Sequence, residues 1–332
     1  MNGPEDQKCI YIFGTNLIWC EKNFITGNKF YMMILSFISY TFSFILFLVI
    51  IFQTKESSSF IFTKIFIFIL YFLQIYSTFR AGCTDPGILP KQYLIYSLNK
   101  KPERRCIING HLINLKYCIS CDIFIPPRCH HCSRCDNCVE KFDHHCIWLG
   151  TCIGLRNYKF FYLLIFCLVI NDIYQILFCL YFLLNNIKNL KNDKNTTLKI
   201  IISMSIIILY DILFIIFFLG KLFILHTYFC FNNLTFYEYF KEKFKTVPGF
   251  NPYNKKFFNN FTQIFCKKSR KTRLFDNLNI QLDIEIKKEI DINFVNNINN
   301  NDNGDVNKEN LTISTNENRH FKNNSEDEIS SH

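Results

Sequence analysis

Four stretches, residues 30–52, 60–79, 160–184 and 200–225, are apolar almost without interruption, and polar residues dominate between and after them. A helix rises 1.5 Å per residue, so about 20 residues cross a hydrocarbon core about 30 Å thick. Each stretch is long enough to do so, and an open sheet in lipid would leave its edge unsatisfied. The pattern predicts four transmembrane helices. The first lacks the short hydrophobic region and small-residue cleavage site of a signal peptide, so it is read as a retained span. Lys64 lies near one end of the second span and can snorkel. Asp172 and Asp211 lie deeper, where an acid is a functional candidate by default; the expectation for both is a hydrogen bond to a neighbouring helix.

Before the first span lies a short segment, residues 1–29, and between the second and third spans lies a polar, basic segment, residues 80–159. By the positive-inside rule that segment faces the cytosol, which places both termini there. The lysines of the 185–199 loop count against this orientation, but thiolate ligands also need the reducing side. Residues 228–271 are basic and aromatic, with Pro248, Gly249 and Pro252 marking turns. Residues 272–332 are Asn-rich and of low complexity, unable to bury enough apolar surface to order themselves.

Composition fits this division. The chain has 332 residues, 49% hydrophobic and 19% charged, which excludes disorder throughout. The mean hydropathy of +0.10 averages apolar spans with a polar tail. The net charge of +10 permits an anionic membrane face, a phosphorylated ligand or nucleic acid. No base-reading helix or stacking platform accompanies it, and the spans argue against DNA.

Of 16 cysteines, eight lie between Cys118 and Cys152, with four of the eight histidines. Interleaving at two-residue gaps points to metal rather than to the disulfides of a secreted domain. The order is Cys118-x2-Cys121, then His130, His131, Cys132, Cys135 and Cys138, then His144, His145, Cys146 and Cys152. Tetrahedral zinc takes four donors, so two ions leave about four of these residues spare. Spacing does not say which. The run from Asp143 to Cys146 has a second reading, because a Cys beside a His can lose its proton and an Asp can fix the imidazole tautomer. Spacing leaves both readings open: further zinc ligands, or nucleophile, base and orienter.

Residues 118–161, CISCDIFIPPRCHHCSRCDNCVEKFDHHCIWLGTCIGLRNYKFF, resemble the cysteine-rich domain of the DHHC protein S-acyltransferases. The C-x2-C pair, Pro127 and Arg128, the HC-x2-C-x2-C block, the DHHC tetrad, Trp148, the Cys152 to Gly154 triplet and Asn157 fall in register. Outside it, Asp85, Pro86 and Gly87 resemble the family's DPG element. Asn251, Pro252 and Tyr253 resemble its C-terminal aromatic motif. The segment before the first span, with Asn16, Cys20 and Gly27, is similar to that of the subfamily that modifies Ras-like proteins. There are departures. Ile125 stands where a Lys commonly precedes the Pro, which removes one phosphate contact. Thr-Thr-x-Glu is present only as Thr235, Phe236, Tyr237 and Glu238, which puts its contact with the catalytic centre in question.

The resemblance implies a four-helix α-helical membrane protein with a cytosolic two-zinc domain between spans two and three. It assigns one structural zinc to Cys118, Cys121, His131 and Cys138 and the other to Cys132, Cys135, His145 and Cys152. Cys146 is then the acyl-accepting nucleophile, His144 its base and Asp143 the orienter, with Cys129 and His130 left over. The implied reaction is two-step transfer from palmitoyl-CoA or another long-chain acyl-CoA to cysteines of membrane-associated proteins. Arg128, Arg134, Lys141, Arg156 and Lys159 are candidates for the CoA phosphates, and Asn171 and Asp172 for the wall of an acyl cavity. The implied location is the Golgi or endoplasmic reticulum; an accessory subunit is left open, and nucleic acid is not expected. The competing readings are a zinc-finger recruitment module, a DHHC-like scaffold that has lost activity, and a small transporter.

Overall fold

The computed structural model describes residues 10–19, 24–53, 61–91, 104–108, 110–186, 194–241, 251–267 and 272–274. The N-terminal nine residues, Cys20, Pro248, Gly249, most of the loop between the third and fourth spans and the tail beyond Leu274 lie outside them. The chain divides into two compact units, residues 1–106 with 111–284, and residues 107–110 with 285–332. The architecture below is that of the first.

Its long helices are α1 (Tyr31–Gln53), α2 (Ile61–Cys83), α3 (Tyr158–Asn186) and α4 (Lys194–Phe214), the last continuing through a π-helical turn, Ile215–Leu219, into α5 (Gly220–Asn232). Four stretches, Tyr31–Phe52, Ile61–Cys83, Tyr158–Leu184 and Leu198–Asn232, are long and apolar enough to cross a membrane. Large apolar side chains such as Phe42, Phe62, Phe72, Leu177 and Phe217 face outward, the surface that lipid requires. Inside, Phe47, Ile67, Phe178 and Met204 meet in one core. Phe44 stacks on Tyr71 at 3.9 Å and Phe47 meets Phe178 edge-on at 5.4 Å.

Helix-to-helix hydrogen bonds supplement this packing, since lipid offers no hydrophobic drive between helices. Tyr40 shares one with Thr78 at 2.9 Å, Tyr71 donates to Thr41 at 3.0 Å, and Gln74 Nε2 donates to the Cys167 carbonyl at 3.2 Å. The two intramembrane acids depart from expectation. Both carboxylate oxygens of Asp211 and Oδ2 of Asp172 are buried without a hydrogen-bond partner among the described residues.

The fourth helix differs from its sequence outline. Apolar residues thin out near position 225, yet the helix runs to Asn232 and ends where Asn233 turns left-handed, φ 47°. Asn tolerates that conformation at a helix C-terminus. The extra turns carry His226, Phe229 and Cys230, all buried, into the segment between α2 and α3.

The polar segments fold as short strands: β1 (Ile10–Phe13), β2 (Asn16–Trp19) and β3 (Phe24–Thr26) precede α1, and β4 (Ile88–Leu89), β5 (Arg105–Ile108), β6 (His111–Asn114), β7 (Lys116–Cys118), β8 (Ile123–Ile125), β9 (His130–Cys132), β10 (Asn137–Val139), β11 (His144–Cys146) and β12 (Thr151–Ile153) lie between α2 and α3. β10 is central to one sheet, pairing antiparallel with β4 and β9; β7 pairs with β8, β11 with β12, and β1, β2 and β3 form a meander. Few apolar side chains support strands this short. Two short helices, α6 (Phe236–Phe240) and α7 (Phe257–Phe265), complete the unit. The segment expected to begin a disordered tail starts ordered: Leu274 packs with Ile88, Val139 and Phe142, and the Thr272 hydroxyl reaches Asp85 Oδ2 at 2.5 Å.

Candidate active site and paired metal centres

Two quartets of ligating atoms come together, each with all four atoms within 4.8 Å of one another: Cys118, Cys121, His131 and Cys138, and Cys132, Cys135, His145 and Cys152. Strand alternation separates them. Successive side chains point to opposite faces, so on β9 His131 joins the first quartet and Cys132 the second. The Cys118-x2-Cys121 and Cys132-x2-Cys135 turns are each followed by an Asp in the left-handed region, Asp122 at φ 56° and Asp136 at φ 48°, a conformation Asp adopts more readily than most side chains. Gly14, φ +58°, presses on the second turn, where an added Cβ would lie 2.4 Å from the Cys135 carbonyl oxygen. Thr15 N–H donates to that carbonyl at 3.1 Å.

Donor type and spacing suit zinc. Bonds of about 2.3 Å to sulfur and 2.0–2.1 Å to nitrogen put sulfur and nitrogen about 3.6 Å apart on a tetrahedron. His145 Nδ1 lies 3.7, 3.3 and 3.6 Å from the sulfurs of Cys132, Cys135 and Cys152. His131 Nδ1 lies 3.3 and 3.8 Å from those of Cys121 and Cys138. Each quartet could hold one zinc ion, and neither includes Cys129, His130, His144 or Cys146. His130 instead stacks on Tyr237 at 4.2 Å.

The same alternation applies on β11. With His145 committed to one face, His144 and Cys146 share the other. Asp143 Oδ2 and His144 Nδ1 are 2.7 Å apart, and the Asp143 side chain is 1% exposed. Burial opposes ionisation of Asp143, but the His144 hydrogen bond, aided by the Phe236 N–H, outweighs it and holds the carboxyl below its usual range. Burial likewise opposes the imidazolium of His144, but hydrogen bonds to Asp143 and Cys146 outweigh it and push His144 up to about 10. The arrangement favours a protonated imidazole beside Cys146 at neutral pH.

The truncated Thr-Thr-x-Glu motif keeps its contact by another route. The backbone N–H of Phe236 donates to Asp143 Oδ1 at 2.9 Å, so the contact runs through the main chain. Thr235 caps α6 in a reciprocal box with Glu238, which fixes that N–H in place. Glu238 in turn takes a two-pronged ion pair from Arg128, Nε to Oε1 and Nη2 to Oε2 both at 2.7 Å. Arg128 also donates to Asn233 Oδ1 and O at 3.0 Å and lies over the Tyr253 ring at 4.3 Å.

Cys146 borders a cavity of about 460 Å³ that runs between the helices, lined by Ser36, Leu164, Leu168, Phe214 and Leu222. Asn171 and Asp172 lie on its wall. Such a volume is within the usual range of about 300–1,000 Å³ for small-molecule pockets. The remaining motif residues are scaffold. Asp85 Oδ1 accepts from the N–H groups of Gly87 and Ile88 at 2.8 Å, while its other oxygen pairs with Arg156; the Pro86 carbonyl accepts from Arg156 N–H at 3.3 Å. Asn157 joins three elements, accepting from Gly154 N–H and donating to the carbonyls of Ala81 and Cys152, each at 2.9 Å. The Trp148 carbonyl accepts from Ser36 at 2.9 Å, docking the loop after β11 on α1. Asn251 Nδ2 caps the carbonyl of Asn232 at 2.7 Å.

The basic residues expected at the CoA phosphates divide. Arg128 and Arg156 are committed to buried ion pairs with Glu238 and Asp85, since neither carboxylate could be buried without a counter-charge. Lys141 Nζ donates to Asn233 Oδ1 at 3.1 Å; desolvation, reinforced by Arg128, pulls it down to about 7. Arg134 is exposed and Lys159 lies 5.1 Å from the Phe160 ring. His226 escaped the sequence reading altogether. A lone histidine in an apolar run gives no sign that it faces His144, with ring centroids 5.8 Å apart.

Two zinc-type quartets, an Asp–His pair beside a cysteine and an apolar cavity between candidate membrane helices meet in one compact unit. Residues 111–243 match the family model described as DHHC palmitoyltransferase, so the chain carries a DHHC domain there. The chain is similar to the probable protein S-acyltransferase 5 of Arabidopsis thaliana, 30% identical over 221 residues, 59% of this chain and 44% of that protein. It is 31% identical over 117 residues to the palmitoyltransferase erf2 of Schizosaccharomyces pombe, 32% of this chain and 33% of that one. It is 33% identical over 115 residues to the human palmitoyltransferase ZDHHC18, 30% of each chain. The chain spans less than half the length of these relatives.

Proposed function

We propose that this protein is a protein S-acyltransferase that moves a long-chain acyl group from acyl-CoA to Cys146 and then to cysteines of membrane-associated proteins. The observation that carries the reading is the Asp143–His144 pair, 2.7 Å apart, beside a cysteine that opens on a 460 Å³ apolar cavity. Palmitoyl-CoA or a similar thioester lays its chain in the cavity, where each buried CH₂ contributes about 0.8 kcal/mol. The proton of Cys146 rests on His144, which the Asp143 contact keeps in its protonated form; the Cys146 thiolate attacks the thioester carbon, and the bond to the CoA sulfur breaks. The proton returns from His144 to the departing CoA thiolate. A substrate cysteine then attacks the acyl-enzyme in the same way, giving its proton through His144 to Cys146. One thioester replaces another at each step, so no energy source is needed, only an activated thiol and positioning.

Asp143 holds the His144 tautomer and balances the imidazolium, and Phe236 N–H holds Asp143. Cys118, Cys121, His131 and Cys138 would hold one zinc ion and Cys132, Cys135, His145 and Cys152 the other. With four protein ligands each, such ions would leave no position for a reacting water and would serve to tie together short strands whose small cores are partly made of the ligand cysteines themselves. Arg134 and Lys159 are the remaining candidates for CoA phosphate contacts. The basic segment and its thiolates belong on the cytosolic face, with the Golgi or endoplasmic reticulum as the membrane and membrane-associated proteins as acceptors. The test is incubation of the purified protein with palmitoyl-CoA. Hydroxylamine-sensitive acylation that is lost in Cys146→Ser is expected; equal labelling of wild type and Cys146→Ser refutes the reading.

A further inference from the structure

A third set of ligating side chains meets outside the two Cys/His quartets. A carboxylate oxygen of Asp143, a ring nitrogen of His144 and a ring nitrogen of His226 lie within 4.8 Å of one another. His226 arrives from α5 and is 0% exposed. Its Nδ1 lies 3.2 Å from the Tyr158 hydroxyl, while Nε2 is buried with no hydrogen-bond partner. Leaving such a nitrogen unsatisfied costs about 1–3 kcal/mol, and nothing in the transfer of an acyl group to Cys146 calls for it. The rings of Phe161, Phe229 and Phe236 surround it at centroid distances of 5.1, 5.4 and 6.3 Å. A positive ion in this apolar surround is stabilised only by its direct ligands, and a carboxylate with two imidazoles is a donor set that suits zinc-class ions.

We propose that Asp143, His144 and His226 form a third metal site, which takes a zinc-class divalent ion reversibly and blocks acyl transfer when filled. With bonds of 2.0–2.1 Å, oxygen and nitrogen ligands on a tetrahedral ion lie about 3.3 Å apart. The 2.7 Å contact of Asp143 with His144 Nδ1 then opens by about 0.6 Å, and the ion replaces the proton between them. A His144 held by metal cannot act as base. The inhibitory half of the proposal rests on the acyltransferase reading; the binding half does not. Entry is from the His144 side, whose side chain is 20% exposed against 1% for Asp143. With three protein ligands against four, this ion is held more weakly than those in the all-protein quartets.

The test uses full-length Cys146→Ser protein in detergent, which cannot be acylated at that position, dialysed against free Zn²⁺ and assayed for bound metal. Three zinc ions per chain are expected, one removable by a mild chelator, falling to two when His226→Gln is added. Two ions in Cys146→Ser itself overturn the site whether or not the His226 variant folds, as does a third ion retained by a folded His226→Gln. In wild type, Zn²⁺ inhibits autoacylation reversibly, and His226→Gln raises the inhibitory concentration by at least about tenfold. Autoacylation insensitive to Zn²⁺ with three ions bound overturns the inhibitory half; absence of autoacylation before Zn²⁺ is added overturns the acyltransferase reading, and the binding count still decides the site.

Discussion

The Phe236 main-chain contact can be removed almost alone. Phe236 is the first residue of α6, where proline is favoured because its missing N–H has no partner within the helix. Thr235 before it already has the extended conformation that a following proline demands, φ −106° and ψ 156°. Phe236→Pro therefore keeps the helix and deletes one donor, the N–H 2.9 Å from Asp143 Oδ1. Hydrogen bonds to charged groups are worth about 1.5–3 kcal/mol. If Asp143 must be ionised for His144 to work, the loss slows acylation by about 10- to 150-fold. The measurement is a single-turnover rate of acyl-enzyme formation with palmitoyl-CoA. Phe236→Ala controls for the ring, which packs against Phe240 at 4.3 Å and keeps the N–H when removed. A Phe236→Pro rate equal to that of Phe236→Ala, in folded protein with normal zinc content, refutes the claim that this N–H orients the catalytic pair.

Other outcomes follow from neighbouring contacts. Glu238→Ala strands Arg128 without its counter-charge, at a cost of about 3–5 kcal/mol, roughly 6–20 °C in Tm; Arg128→Met with Glu238→Met recovers much of it, and additive losses in thermal unfolding would refute the coupling. His145→Ala or Cys132→Ala releases zinc and unfolds the cysteine-rich domain, whereas His144→Ala keeps both structural ions and stops acylation; metal analysis showing equal zinc loss would contradict the partition. Ser43→Phe narrows the cavity wall and shifts acyl-CoA preference to shorter chains, read by competition between myristoyl- and palmitoyl-CoA. Asp211→Leu removes a buried carboxyl that has no partner and raises thermal stability; a fall in Tm would show that the acid has an unrecognised role in the bundle.

Sequence spoke clearly where one-dimensional spacing carries the physics. A run of about 20 apolar residues is a span in any context, and the interleaved Cys and His between Cys118 and Cys152 announce metal by donor type and gap. The run from Asp143 to Cys146 left two readings open, because adjacency says nothing about direction. Tertiary structure separates them: His144 and Cys146 turn away from the quartet that His145 joins, since side chains alternate along β11. Contacts across long separations were not legible. Phe236 looked like a lost hydroxyl until folding brought its N–H to Asp143. Arg128 and Arg156 looked like phosphate ligands until their buried carboxylates appeared. His226 was one polar residue in an apolar run, and only the continuation of the helix to Asn232 set it beside the catalytic pair. The sequence by itself determined which solvent each segment lives in and which atoms can bind metal, because both are properties of residue type and local spacing. Which donor faces which acceptor was decided by the fold, because that depends on strand direction, helix length and the pairing of charges that cannot be buried alone.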